Sequence, residues 1–336
     1  MKVLFIGGTG RISRSITQQL AEQGYELTIL NRGNKNAGLS SSVRQIIGDM
    51  EDENQIAALL QDESFDVVAD FIAFVPEQIQ RDVRLFEGRC KQYVFVSSAS
   101  AYQKPLSHYV ITESTPLSNP HWAYSRDKIA CEEILMEAYR TRGFPVTIVR
   151  PSHTYDERSV PMALHSSKGV WTDILRMQQG KPVIVPGDGR TLWTLTHSKD
   201  FANGFIGLLL NPHAIGEAVH ITSDESLTWN QIYEIIGNTL GVKPVLSHVS
   251  TDTLVRLDPS LEGPLHGDKS HTVVFDNSKI KRLVPGYCAT IRFDLGMVWS
   301  MAHLLAHPER QIYDPDWDAW VDHVVEIAIP SAFSRK

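Results

Sequence analysis

The stretch KVLFIGGTGRISRSITQQL, residues 2–20, runs from an apolar segment through a glycine turn into an amphipathic segment. That order reads as strand, tight turn and helix. In the turn Gly7 supplies backbone angles that side chains disfavour, and Gly10 lets the chain pass close to a bound group where a Cβ would collide. A helix beginning near Arg11 aims its free N–H groups and positive dipole end at one point, which suits a pyrophosphate. Thr9, Arg11 and Ile12 therefore join Gly7 and Gly10 as candidate ligand contacts. Ser13 holds the third position of G-x-x-G-x-x-S, where a small side chain lets helix and strand pack closely.

The next segments repeat the pattern. Gly24 closes the first helix, and residues 26–30 form a second apolar strand ending in Asn31-Arg32-Gly33. At this strand end an acid would accept from the adenosine ribose of NAD, whereas an arginine accommodates the 2′-phosphate of NADP. The acid is missing, and Asn31 and Arg32 stand there, so NADP is the preferred cofactor and NAD the other; a solvated loop cation is the plain alternative for Arg32. Residues 44–48 read as a third strand closing on Asp49 and Met50, both candidate cofactor contacts, and 53–60 as a helix. Asp49 is either an acceptor for an adenine amine or a loop acid in water. Residues 65–74, FDVVADFIAF, form a near-continuous apolar run as in a parallel strand covered on both faces, with Asp70 unexpected inside it and Ala73, a candidate cofactor contact, near its end. A helix at 78–86 and a strand at 92–96 follow, ending in Ser97-Ser98-Ala99-Ser100-Ala101-Tyr102. Alternation of this kind predicts an α/β fold with a doubly wound parallel (Rossmann) sheet, whose ligands sit beyond the carboxyl ends of the strands.

Residues 103–119 are polar and contain proline, a loop long enough to cover a pocket. The helix after it opens Tyr124-Ser125-Arg126-Asp127-Lys128, so Tyr124 and Lys128 stand one above the other on one face. A sixth strand at 146–149 ends in Arg150-Pro151-Ser152-His153, which adds Pro151 and His153 to the candidates.

Composition bounds the rest. At 336 residues the chain suits two closely joined lobes, and a net charge of −7 disfavours a phosphate backbone as partner. A small-molecule substrate is expected, with neither nucleic acid nor membrane as partner. Cys90, Cys131 and Cys288 are far apart and form no C-x-x-C pair, and the 13 histidines form no metal-binding array, so no metal is expected. The apolar residues at 3–6 are too few for a secretory segment, and no run reaches the roughly 18 residues of a membrane helix. A cytoplasmic protein is expected.

The glycine turn, the serine-rich end of strand five, Tyr-x-x-x-Lys and the Arg-Pro after strand six together resemble the extended short-chain dehydrogenase/reductase family, the NAD(P)-dependent epimerases and dehydratases. Gly180-Lys181-Pro182, Gly187-Asp188-Gly189 and Asp200 are similar to that family's G-K-P…G-D-G…D segment, as are 227–241 and Asp276-Asn277-Ser278-Lys279. The resemblance covers roughly residues 1–300. It implies a dinucleotide-binding domain from 1–152 plus about 180–210, and a smaller α/β substrate lobe from about 153–180 and 224–336. It also implies a catalytic Ser98, Tyr124 and Lys128, with Ser98 taken ahead of Ser97 or Ser100. A free phenol, with pKa about 10, is a poor base at neutral pH. Lys128 one turn away, aided by an oxidised nicotinamide, would lower it, and in the family that lysine also bonds the nicotinamide ribose.

Two departures bear on substrate. Family members that act on nucleotide-diphosphate sugars usually carry an arginine four residues after G-D-G, where this chain has Trp193. They carry a second two positions before a later Gly-Asp; if that pair is Gly267-Asp268, Leu265 replaces it. Arg190, His197, His266 and Lys269 are the cations available to compensate. The expected function is an epimerase/dehydratase-type oxidoreductase acting on a sugar-like hydroxyl or carbonyl compound, not a nucleotide-diphosphate sugar. The alternatives are a simple NADPH-dependent carbonyl reductase, or a non-catalytic NAD(P)-sensing or nucleic-acid-binding relative. The oligomeric state stays open, with a homodimer as one assembly.

Overall fold

The structure is a computed structural model that describes residues 1–36 and 38–328. Lys2–Ile6 (β1) lies between Glu26–Asn31 (β2) and Phe65–Asp70 (β4) in a seven-stranded sheet. Arg44–Ile47 (β3) extends the β2 side, while Cys90–Val96 (β5), Val146–Pro151 and then Ala218–Ile221 extend the β4 side. Every pairing in this sheet is parallel, with Val3 opposite Leu27 on one side and Val67 on the other. The chain winds outward in both directions from β1, so a crevice opens beyond the ends of β1 and β4. The glycine turn occupies it.

Both faces of the sheet are covered, which explains why the strands read as unbroken apolar runs. Val3 and Phe5 pack with Ile16 and Leu20 of Ser13–Glu22 (α1) and with Phe201 and Phe205 of the helix Ser198–Leu208. Their alternates Leu4 and Ile6 pack with Ile79 and Val83 of Pro76–Phe86 (α3), which follows the short helix Glu53–Leu59 (α2), and with Leu135 of Ala123–Arg142 (α4). All four of these β1 side chains are fully buried, each contributing about 1.5–3 kcal/mol of apolar burial.

Several boundaries differ from the sequence reading, each for a local reason. The apolar run 65–74 is strand only as far as Asp70. There the Asp70 carboxylate accepts from the N–H groups of Ile72 (2.6 Å) and Ala73 (2.8 Å) and turns the chain out of the sheet. The loop 103–119 is pinned: Val110–Ile111 pairs with Val274–Phe275, and Tyr102 bridges to Leu117. Within 180–210, Pro182–Pro186 pairs with Val245–Val249 away from the large sheet, whereas Ser198–Leu208 lies on α1. Around a second core, Tyr155, Trp193, Trp229 and Phe293 bring the later segments together.

Candidate active site

The glycine turn builds one wall of a two-part cleft. Gly7 has φ +101°, and a Cβ there would lie 2.9 Å from Ile72 Cγ2, so only glycine fits. Gly8, which the sequence reading passed over, has φ +81° and lies against Ile29. A Cβ on Gly10 would meet only Ser13 Oγ, at 3.5 Å; its far side is the cleft itself. One part of the cleft, about 460 Å³, is lined by Gly7, Thr9, Gly10, Asn31, Arg32, Asp49 and Met50. The other, about 480 Å³, is lined by Gly10, Arg11, Ile12, Ser98, Tyr124, Lys128, Pro151 and His153. Gly10, Ser13, Phe71 and Phe74 line both, so the two parts form one elongated channel over the turn.

In the first part Asn31 is a brace. Its amide nitrogen donates to Asn36 Oδ1 (2.7 Å) and Gly7 O (3.3 Å), and its Oδ1 accepts from Gly33 N–H (2.8 Å), which fixes the loop beside the turn. Arg32 is exposed, and among the described residues its side chain makes no hydrogen bond or ion pair. Lys35 lines the same end and is likewise free among the described residues, a second cation that two residues of loop separate from Arg32. Asp49 is exposed and Met50 buried at the same edge. Ala73 lines neither part. Its carbonyl instead accepts from Lys128 behind the wall that Phe74 forms.

In the second part the three hydroxyls after β5 have separate fates. Ser97 is buried and donates to Glu132, which also pairs with Arg150 at 2.5 Å. Ser100 is buried and accepts from Ser125 at 2.8 Å. Ser98 is half-buried in the cleft, 2.8 Å from the Ser100 hydroxyl. Lys128 is nearly sealed: its ammonium donates to the carbonyls of Ala73 (2.7 Å) and Val96 (2.8 Å) and lies 4.6 Å from the ring centres of both Phe74 and Phe95. Burial lowers its pKa to about 8, with Asp70 opposing. The Lys128 ammonium stands 6.0 Å from the Tyr124 ring centre. The phenol departs from the expectation: burial raises its pKa above the ordinary value and Asp268 adds to the rise, while Ser98 opposes. Desolvation outweighs what the protein's own groups return to the phenolate.

The remaining candidates divide cleanly. Trp193 lines the cleft, stacked on Trp229 at 5.2 Å, and its indole N–H has no partner among the described residues. Leu265 is fully buried in the core formed with Leu164, Ile184 and Val249. Arg190 is exposed and outside the cleft, His197 is buried beneath Tyr155 and Trp299, and His266 pairs with Asp252. Lys269 does line the cleft, as does its neighbour Asp268, which sequence reasoning treated only as an alignment mark. Asp70 belongs to a buried cluster: burial and Asp70 together push the Asp82 carboxyl well up, while Arg81 and Tyr93 (2.6 Å) hold it by hydrogen bonds. Among the described residues no group of three or more His, Cys, Asp or Glu side chains could hold a metal, and no helix is long and apolar enough to cross a membrane.

A parallel sheet wound outward from β1, with a glycine turn and a Tyr-x-x-x-Lys helix on one channel, defines a dinucleotide-dependent α/β enzyme. The chain belongs to the NAD dependent epimerase/dehydratase family, whose model matches residues 3–222. It is 26% identical over 291 residues to 2'-dehydrokanamycin reductase of Streptomyces kanamyceticus, covering 85% of this chain and 80% of that protein. It is also 26% identical over 244 residues to the chloroplast stem-loop binding protein of 41 kDa b of Arabidopsis thaliana, covering 68% and 60%. The fold is that of the UDP-glucuronic acid 4-epimerase of Bacillus cereus, solved with UDP-glucuronic acid and NAD, at TM-score 0.74 and 20% identity over 91% of this chain and 99% of that one. The protein is thus an oxidoreductase of a family of epimerases, dehydratases and reductases that bind NAD(P).

Proposed function

We propose that this enzyme transfers hydride between NADP(H) and a sugar-like hydroxyl or carbonyl compound, with Ser98, Tyr124 and Lys128 handling the substrate oxygen. The observation that carries the reading is the continuity of the channel: unpaired Arg32 and Lys35 at one end, the glycine turn at its middle, and Ser98 and Tyr124 at the other. When bound, the nicotinamide supplies or accepts the hydride. Gly7 and Gly10 keep the turn bare for the pyrophosphate, and Arg32 with Lys35 gives a 2′-phosphate two cations. Asp49 would accept from the adenine amine.

At the reacting end Tyr124 is the proton carrier. Its phenol, protonated and buried, gives a proton to a carbonyl oxygen during reduction and recovers it in the reverse direction. Ser98 donates to the same oxygen: with the Ser100 hydroxyl accepting from Ser125, the Ser100 proton can go to the Ser98 oxygen, which also accepts from the Ser100 N–H, and the Ser98 proton is left for the ligand. Lys128 is a positioning cation: two of its protons are fixed on Ala73 and Val96, which leaves the third for a ribose hydroxyl. Trp193 lines the cleft where the family resemblance expects a diphosphate-binding arginine, whereas Leu265 lies in the core and faces no ligand, so on Trp193 we read the substrate as lacking that group. The lobes divide, on this reading, into nucleotide and substrate parts near residues 152, 180 and 210, with Ala218–Ile221 completing the nucleotide sheet. Neither nucleic acid nor membrane is a partner on this reading, and the protein acts in the cytoplasm. Titration with NADPH and NADH by fluorescence tests the cofactor, and a panel of sugars and sugar-derived ketones with wild type and Tyr124→Phe tests the chemistry. Tighter NADH than NADPH binding, or turnover unaffected in Tyr124→Phe, would refute it.

A further inference from the structure

A second chamber of about 550 Å³ opens from the reacting end of the channel, sharing Arg11, His153 and Lys269 with it. Its lining is strongly basic although the whole chain carries −7. Two of the cations are already neutralised: Arg158 pairs with Asp156 at 2.8 Å, and Lys168 with Asp314 at 2.9 Å. Arg11 and Arg310 are not, and Lys269 has only its neighbour Asp268, on the channel side, as a nearby counter-charge. Among the described residues the Arg11 and Lys269 side chains make no hydrogen bond or ion pair, and Arg310 donates only to the Arg158 carbonyl. Glu309 is the one carboxylate in the lining. Burial first, then Lys269 and Arg11, hold His153 neutral, with a pKa of about 3, and the same two cations act in the same direction on His165. Val160, Met162 and Leu304 give the rest of the wall an apolar surface.

Cations gathered around a half-apolar chamber with few carboxylates repel one another, and an anion placed among them relieves that repulsion and gains charge-assisted hydrogen bonds. We propose that this chamber receives an anionic group of the substrate, a phosphate monoester or a carboxylate, carried by a carbon skeleton whose reacting carbon lies at Tyr124. The assignment rests on the function proposed above for the channel. Arg11 and Lys269 meet the anion at the junction, and Arg310 meets it from the mouth.

The test uses calorimetry on the protein saturated with NADPH, so that the cofactor's own phosphates are accounted for. The probes are glucose 6-phosphate, glucuronate, inorganic phosphate, UDP-glucose and, as the neutral control, glucose. At least one of the first three should bind about tenfold tighter than glucose or more, as a charge-assisted contact requires. Phosphate-bearing probes favoured over glucuronate identify the monoester, and the reverse identifies the carboxylate. Lys269→Met and Arg310→Ala should each reduce the preference to about threefold or less while NADPH affinity stays unchanged; Arg310 is exposed, so its variant keeps the fold. The inference is overturned if no anion is preferred over glucose, if the preference survives both variants, or if UDP-glucose binds more tightly than the simple anions. Failure of NADPH to bind the wild type would instead strike the reading of the channel.

Discussion

The sealed ammonium of Lys128 makes a stability prediction that can be worked from its surroundings. Its pKa falls from 10.5 to about 8, chiefly through burial, which at about 1.4 kcal/mol per pH unit amounts to about 3 kcal/mol. The folded chain releases this proton near pH 8, whereas the unfolded chain holds it to 10.5. Below the lower value both states are charged and the cost is present in full. Between the two the unfolded state binds more protons, so stability rises with pH and levels off above the upper value. Lys128→Met keeps the length of the side chain and removes the titration. Urea unfolding, followed by tryptophan fluorescence at about pH 7 and about pH 9.5, should show the wild type gaining about 2 kcal/mol relative to the variant across that interval. Parallel pH dependences in the two proteins would mean that Lys128 titrates as an ordinary lysine and is not sealed. Activity should move the other way, declining above about pH 8 as the ammonium loses its charge.

Tyr124→Phe removes only a hydroxyl and should lower kcat by orders of magnitude with cofactor Kd within about twofold, measured by single-turnover and binding assays. Arg32→Ala should weaken NADPH by about 1–3 kcal/mol in a fluorescence titration and leave NADH nearly unchanged; equal losses would separate Arg32 from the 2′-phosphate. Gly7→Val meets both φ +101° and Ile72 at 2.9 Å, so thermal and urea unfolding should report a loss of about 1–3 kcal/mol. Glu132→Ala strands the buried Arg150 and should cost about 3–5 kcal/mol of stability, a structural defect that Tyr124→Phe lacks.

Much of the fold was legible because a strand covered on both faces has little choice of residue. Val3, Leu4, Phe5 and Ile6 face opposite layers in alternation, yet all are apolar, and Gly7 ends them at a conformation only glycine holds easily. The strand Ala218–Ile221 escaped reading for the opposite reason. It is short, and His220 interrupts it with an imidazole bonded to Tyr102 and to the Asp276 carbonyl, partners more than fifty residues away. Asp70 was visible as an anomaly within an apolar run, but its role as a strand stop and its pairing with Asp82 depend on how α3 lies against the sheet. At the site, Tyr124 and Lys128 were found through helical spacing, while Lys35, Phe74 and Asp268 had no spacing to announce them. The expected fall in the Tyr124 pKa needed a balance between burial and charge that spacing does not carry.

The pairing of Val110–Ile111 with Val274–Phe275 ties one wall residue of the channel to a segment that lies outside it. Phe275 lines the reacting end of the channel, and the segment 103–119 is stitched to it by backbone hydrogen bonds. The loop therefore cannot flap alone; any outward swing drags the chain around Phe275 with it, or first tears that short ladder apart. A displacement of Phe275 would therefore be a concerted movement of two distant stretches of chain, open to tuning by substitutions at Val110 and Val274, neither of which lines the channel.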